Sequence, residues 1–300
     1  MLKIAFAKLF AHPLPEGHRF PMVKYELIPE QLLHEGLITE KNLFYPEQVD
    51  EEVILWTHDK HYWEQLRDLT LPAKEIRRIG FPLSALLIER SRRIAKGTID
   101  ACHYAFKYGV AFNSAGGTHH AGTNWGEGFC LLNDQAIAAN YLLHNKLASN
   151  ILIIDLDVHQ GNGTAQIFEN EPRVFTFSMH AANNFPFRKE TSDLDIPLPD
   201  GISGNEYLTI LHETLPELIA QQKTDFIFFQ AGVDILATDK LGKLKLTRED
   251  CKARDQFVFE QCIINKIPIQ VSMGGGYSPQ VRDIVEAHCN TYRVANQLYF

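Results

Sequence analysis

Five apolar runs punctuate the chain, at Gly109–Asn113, Asn150–Asp155, Arg173–Ser178, Asp225–Gln230 and Pro268–Ser272. None alternates between apolar and polar positions. A strand with water on one face alternates, whereas a strand buried on both faces does not. The runs therefore predict strands of a covered, mostly parallel sheet. Between them lie stretches with helical spacing, at residues 82–107, 133–147, 204–222 and 247–266. The last opens with Thr247, followed three residues later by Asp250, a capping-box-like start. The apolar opening from Met1 to Ala11 carries Lys3 and Lys8 and runs into His12-Pro13 without a small-residue cleavage site. It predicts a first strand and not a signal peptide. This βαβα alternation predicts an α/β fold of three layers, with helices on both faces of the sheet.

No repeat, linker or low-complexity stretch divides the sequence, so residues 1–300 read as one domain. The segment from Ala181 to Asn205 is long, polar and turn-rich, with Pro199-Asp200-Gly201 as punctuation. Connections of this length in compact domains are usually functional, and this one follows a strand. It is expected to form one wall of a crevice.

The unusual residues share one kind of place. Four strand runs empty into polar, glycine-rich segments that carry His119-His120, Asp155-Leu156-Asp157-Val158-His159, Asp234 and Gly274-Gly275-Gly276-Tyr277. Ligands of open α/β sheets bind outside the carboxyl ends of the strands, so these groups are expected in one crevice. If the backbone stays extended, Asp155, Asp157 and His159 point the same way. A catalytic zinc keeps three protein ligands and one open position, and Asp157, His159 and Asp234 would make an Asp₂His set. Oxygen ligands also admit Fe²⁺ or Mn²⁺. An isolated Asp-x-Asp would more often cap a helix or pair with a base; the histidine and Gly161-Asn162-Gly163 beyond it favour a metal.

Histidine titrates near neutrality and suits proton transfer. His119-His120 fits that role, with Asp155 available to hold one ring in its tautomer; a second metal site and a hydrogen-bonded core pair remain alternatives. Tyr277 after a glycine run fits a donor to a developing oxyanion, although most tyrosines merely pack. His58 and His61 sit three residues apart on a helix and lack a third ligand, which favours packing and capping. Cys130 reads as a small buried residue or, alternatively, a redox-sensitive thiol.

Composition narrows the field. At 300 residues and 45% hydrophobic content, the chain can bury one large core. A net charge of −8 offers no electrostatic footprint for nucleic acid and tolerates a cationic substrate. Five scattered cysteines with no CxxC spacing predict reduced thiols in a reducing compartment. No apolar run approaches the roughly 18 residues of a membrane span. A soluble protein is expected, cytoplasmic or, in a eukaryote, nuclear, with no membrane or nucleic-acid partner.

From His18-Arg19-Phe20-Pro21-Met22 to Gly276-Tyr277 the sequence resembles the histone deacetylase-type acyl-lysine amidohydrolases of the arginase/deacetylase fold. The motifs that carry the resemblance are Gly117-Thr118-His119-His120, Gly128-Phe129-Cys130-Leu131-Leu132-Asn133-Asp134 and Asp155-Leu156-Asp157-Val158-His159-Gln160-Gly161-Asn162-Gly163. Ala231-Gly232-Val233-Asp234-Ile235-Leu236 and Asp239-Lys240-Leu241-Gly242 resemble the class IV branch and its bacterial relatives. The resemblance implies a sheet of about eight strands and an acylated lysine, in protein or peptide, as substrate. It implies Zn²⁺, with Fe²⁺ as an alternative, on Asp157, His159 and Asp234. His120 would be general base and then acid, with His119 as electrostatic partner oriented by Asp155. Asn162 stands where some branches carry Asp, giving His120 a neutral partner. Tyr277 would polarise the substrate carbonyl. A structural K⁺ would lie near Asp155, Asp157, His159, Ser178 and Met179. The substrate channel would be lined by Gly128, Phe129, Phe185, Gly275 and Gly276, and Arg19 would line an acetate-release cavity. Thr118 replaces an aromatic of some members, which would widen that cavity, and the class IV likeness admits acyl groups longer than acetyl. An acetylpolyamine amidohydrolase is the alternative, with Glu16, Glu190, Asp193 and Asp195 as the acidic mouth it would need. A non-catalytic acyl-lysine binder is the remote one. Nothing in the sequence fixes the oligomeric state.

Overall fold

The apolar runs form strands, and their order in the sheet decides which strand ends meet. A computed structural model describes residues 1–300, with strands β1 (Ile4–Ala5), β2 (Leu43–Phe44), β3 (Val110–Asn113), β4 (Ile151–Asp155), β5 (Val174–Ala181), β6 (Leu194–Leu198), β7 (Phe226–Gln230) and β8 (Ile269–Ser272). They form one eight-stranded sheet in the order β2-β1-β3-β8-β7-β4-β5-β6. Every pairing is parallel, so the sheet is entirely and not mostly parallel.

The helices are α1 (Lys24–His34), α2 (Glu51–Leu55), α3 (Lys60–Arg67), α4 (Ala73–Ile79), α5 (Ala85–Tyr108), α6 (Asp134–His144), α7 (Asn162–Phe168), α8 (Gly204–Gln222), α9 (Arg248–Asn265) and α10 (Val281–Tyr299). Adjacent residues on β3 show both faces covered, because successive side chains of a strand point oppositely. The Phe112 ring stacks on Tyr292 of α10 at 4.4 Å, while Asn113 Nδ2 donates to Ile94 O of α5 at 2.8 Å. Residues of β3, β4, β7 and β8 are buried throughout, which is why these segments lack alternation. Caps fix the helix starts: Ser203 with Glu206, and Thr247 with Asp250, form complete capping boxes. One contiguous cluster of 82 buried apolar residues joins sheet and helices, so the strand ends rest on a single core. No helix is long and apolar enough to cross a membrane.

The opening segment supplies the expected first strand, of two residues, followed by a 3₁₀ turn at Lys8–Phe10. One sequence expectation needs correction. The segment 181–205 is not structureless: it contains β6, which pairs with β5 from Phe177↔Leu194 to Ala181↔Leu198. As a half-exposed edge strand interrupted by Pro197, it lacks the apolar run that marks the central strands.

The site follows from topology. Strands β3, β8, β7 and β4 are consecutive in the sheet, and they are the four that lead into the unusual segments. The chain passes from β3 to β4 across a gap later filled by β7 and β8. Such a reversal of strand order is where open sheets form their binding crevices.

Candidate active site

Beyond β4 the carboxylates pin their own backbone. Asp155 Oδ1 accepts the Asp157 N–H at 3.1 Å, and Asp157 Oδ1 accepts the His159 N–H at 3.0 Å. The strand ends at Asp155, so the extended geometry read from sequence does not continue. Asp155 instead turns to His119, while Asp157 and His159 meet Asp234 beyond β7. His159 Nδ1 lies 3.0 Å from Asp157 Oδ1 and 3.2 Å from Asp234 Oδ2. One ligand atom from each of the three lies within 4.8 Å of the others, and all three residues are buried.

Backbone donors hold the carboxylates in place: Val158 N–H on Asp234 Oδ1 at 3.0 Å, and Gly275 N–H on Asp157 Oδ2 at 2.8 Å. A Cβ at position 275 would collide with Asp234 Oδ2, so glycine permits the approach. Asp234 Oδ2 is buried without a hydrogen-bond partner. Burial, then the Asp157 charge, pushes the Asp234 carboxyl up to about 7. Burial opposes a proton on His159, yet the same carboxylates lift its pKa to about 10. The three side chains thus converge on a point that attracts positive charge and offer one nitrogen and an unpartnered oxygen to it. They fit a divalent cation.

The histidine pair hangs on the loop after β3. Asp134 Oδ1 accepts the N–H groups of Gly117 and Thr118, each at 2.8 Å, and the Thr118 hydroxyl at 2.7 Å. Thr118 also lines the cavity. The two rings lie 4.1 Å apart and face different partners. His119 Nδ1 meets Asp155 Oδ2 at 2.6 Å; His120 Nδ1 meets Asn162 Oδ1 at 2.7 Å. Burial works against charge on His119, but Asp155 and Asp157 raise its pKa to about 9. Burial, with the charges of His119 and His159, holds His120 well below its ordinary value. The surroundings thus favour a proton on His119 and disfavour charge on its neighbour His120.

Tyr277 is fixed by groups that sequence spacing did not single out. Asp239 Oδ2 accepts its N–H at 2.6 Å. The buried Lys24 ammonium donates to Gly274 O at 3.0 Å and lies 5.4–5.8 Å from the Phe20, Tyr25 and Tyr277 ring centres. Burial brings the Lys24 pKa down to about 8. Burial, then the negative charges of Asp234 and Asp157, raises the Tyr277 phenol well above its usual value. It therefore stays protonated and can donate.

These groups line a cavity of about 570 Å³. Phe185 from the 181–205 segment stands edge-on to His120 at 5.0 Å, and Phe129 lies 6.0 Å from the Tyr277 ring. Gly128 and Gly275 line it as well. The Gly128 carbonyl is met by the Cys130 thiol at 3.4 Å. Gly276 does not line the cavity; its backbone faces Val233 and Ile284. Arg19 lines the cavity from an exposed position, with its guanidinium 5.0 Å from the Phe129 ring centre, and the arginine buried beside the cavity is Arg90.

The potassium group is brought together in part. Ser178 pairs with Asp155 in the β4–β5 register and Met179 follows it, both buried; the Ser178 hydroxyl lies 3.0 Å from His180 Nδ1. His58 is a structural bridge. Burial pulls its pKa down to about 4, and the neutral ring joins Gly122 O at 3.0 Å to the Asn133 N–H at 3.0 Å. His61 is exposed. All five cysteines are buried and free, and burial pushes the Cys130 thiol upward, away from reactivity. None of Glu16, Glu190, Asp193 and Asp195 lines the cavity; Asp195 accepts from Gln160 Nε2 at 2.8 Å and Asp193 from Thr176 Oγ1 at 2.8 Å. Sequence reasoning missed Glu127 altogether. Its Oε1 accepts from Asn162 Nδ2 at 2.6 Å, and its Oε2 from Arg78 Nε at 2.8 Å.

Known proteins share this fold. The family model for the histone deacetylase domain matches residues 18–292, and the chain belongs to that family. An uncharacterised protein of Picosynechococcus sp. is 42% identical over 290 residues, covering 97% of each chain. Histone deacetylase 2 of Arabidopsis thaliana is 29% identical, covering 87% of this chain and 70% of its own. Human histone deacetylase 1 is 27% identical and is covered over 61% of its length. A crystal structure of an HDAC homolog complexed with SAHA superposes with a TM-score of 0.84 at 26% identity, covering 99% of this chain and 84% of that one. An HDAC homolog from Aquifex aeolicus gives 0.82 at 25%, covering 97% and 82%. The chain is thus a hydrolase of the histone deacetylase family, with the family's α/β fold.

Proposed function

We propose that this protein hydrolyses the amide of N-ε-acyl-lysine in proteins or peptides, releasing a carboxylate and free lysine. One observation carries the reading: a protonated phenol, a neutral imidazole and an Asp₂His group with an unpartnered oxygen face one aromatic-walled cavity. The acyl-lysine stem is a thin apolar chain, and Phe129 and Phe185 offer it a passage that excludes water. Tyr277 Oη donates to the carbonyl oxygen as negative charge develops there. His120 Nε2 takes a proton from the attacking water and delivers it to the lysine nitrogen as the C–N bond breaks. The His119 cation, 4.1 Å from the His120 ring, lowers the energy of the developing negative charge. Zinc, or Fe²⁺ in its place, held by Asp157, His159 and Asp234 would polarise the carbonyl and acidify water. K⁺ beside Asp155, Ser178 and Met179 belongs to the same proposal, as a structural ion.

Charge at the mouth favours peptide over polyamine. The cavity is lined by Arg19, Arg77, Arg78, Lys240 and Lys243, and its only acidic lining residues are the deep Asp157 and Asp234. A rim of this sign repels a polycation and attracts acidic residues flanking a lysine, although the whole chain carries −8.

The test is turnover by the zinc-loaded protein, followed by mass spectrometry, on a lysine peptide bearing acetyl, octanoyl or myristoyl, and on acetylated spermidine. Peptide turnover is expected, with the polyamine slower. Intact peptides beside a hydrolysed polyamine would overturn the lysine reading.

A further inference from the structure

We propose that Glu127, anchored by Arg78, sets the tautomer of His120 through Asn162 and is a positioning residue for this base. The inference rests on the role given to His120 above. Its argument is a chain of donors and acceptors. Arg78 has only N–H donors and places Nε on Glu127 Oε2 at 2.8 Å. The Glu127 carboxylate only accepts, so the group of Asn162 that meets its Oε1 at 2.6 Å is the amide NH₂. The Asn162 oxygen must then face His120 Nδ1, which lies 2.7 Å away. An oxygen accepts, so Nδ1 carries the proton and Nε2 is left with a free lone pair. Glu127, Asn162 and His120 are all buried, so water does not compete for these positions. An aspartate at position 162 would hold the ring alone. An asparagine can flip, and Glu127 is what prevents it.

The account makes an unusual prediction for Glu127→Gln, an isosteric change. Glutamine has one acceptor oxygen, and Arg78 claims it. Its NH₂ then turns to Asn162, whose amide flips and donates to His120 Nδ1. The ring proton moves to Nε2, and the base is blocked. In the zinc-loaded chain labelled with ¹⁵N-histidine, long-range ¹H–¹⁵N correlation reads the tautomer directly, with His120 assigned through His120→Gln. Wild type should show Nδ1–H, and Glu127→Gln should show Nε2–H. On an acyl-lysine peptide kcat should fall with KM unchanged. The size lies between the roughly 10-fold cost of a lost orienting bond and the roughly 10⁴-fold cost of a wrong histidine tautomer.

Asn162→Asp alone sets two carboxylates against each other and should also lower kcat. The pair Glu127→Gln with Asn162→Asp places one carboxylate between the His120 ring and the new glutamine amide, an acceptor for both, so tautomer and most of kcat should return. If that pair does not fold, Arg78→Met in the Glu127→Gln background frees the glutamine oxygen to face Asn162 and should restore Nδ1–H. Nδ1–H retained in Glu127→Gln, or a double variant no better than the poorer single one, overturns the proposal. If wild type turns over no acyl-lysine, the function proposed above fails, while the tautomer measurement still decides the role of Glu127.

Discussion

The floor and the walls of the cavity are built by different means. On the floor, Asp157 and Asp234 accept backbone N–H groups from Gly275 and Val158, donors fixed by neighbouring strands. Behind His120, the contacts run between side chains: Asn162 to Glu127, Glu127 to Arg78, Arg78 over the Trp125 ring at 4.6 Å. The floor concentrates negative charge in a buried place, and the mouth presents exposed arginines and lysines. Backbone donors just beyond strand ends are tethered by the sheet, which suits chemistry that depends on sub-ångström placement. Rim side chains such as Lys240 and Lys243 can vary without disturbing the sheet, which suits choice of substrate.

Changes to the floor, or to the side chains that orient His120, should therefore remove activity, and changes at the rim should redirect it. Gly275→Ala carries the largest expected effect: its Cβ displaces Asp234 Oδ2, so zinc affinity should fall on the order of 10²-fold or more in competition with a chelator, with turnover lost. Tyr277→Phe comes next, lowering kcat on the order of 10²–10³-fold with zinc content unchanged by elemental analysis. Full turnover by that variant would remove Tyr277 from the mechanism. At the rim, Lys240→Glu with Lys243→Glu should shift the kcat/KM ratio of acidic over basic flanking peptides by about 10-fold, less at high salt. His58→Ala is the smallest for catalysis. Losing its two bridging hydrogen bonds should cost roughly 1–3 kcal/mol of stability, read by denaturant melts, with zinc binding intact.

The same contrast explains what the sequence could disclose. Central strands such as Ile151–Asp155 are buried on both faces, so their composition announces them, and the residues at their ends stand out by position. The four strand ends that bear His120, Asp157, Asp234 and Tyr277 are neighbours because of sheet order, and apolar runs make that sheet foreseeable. Strand β6 was not legible, because an edge strand with Asp195 and Pro197 has a turn's composition. Asp155 misled, since the turn at Asp157 breaks the extended spacing. Glu127 and Lys24 left no signal: they lie 35 and 250 residues from their partners Asn162 and Gly274, and nothing local marks such pairs.

The central claim is that one cation, held by Asp157, His159 and Asp234, serves the reaction. The most direct measurement is a titration of zinc into chelator-treated protein, with release of free lysine from an acyl-lysine peptide recorded at each addition. Turnover should rise linearly and stop at one equivalent, and Asp234→Ala should stay flat throughout. Full turnover before any zinc is added, or a rise that continues to two equivalents, would contradict the account.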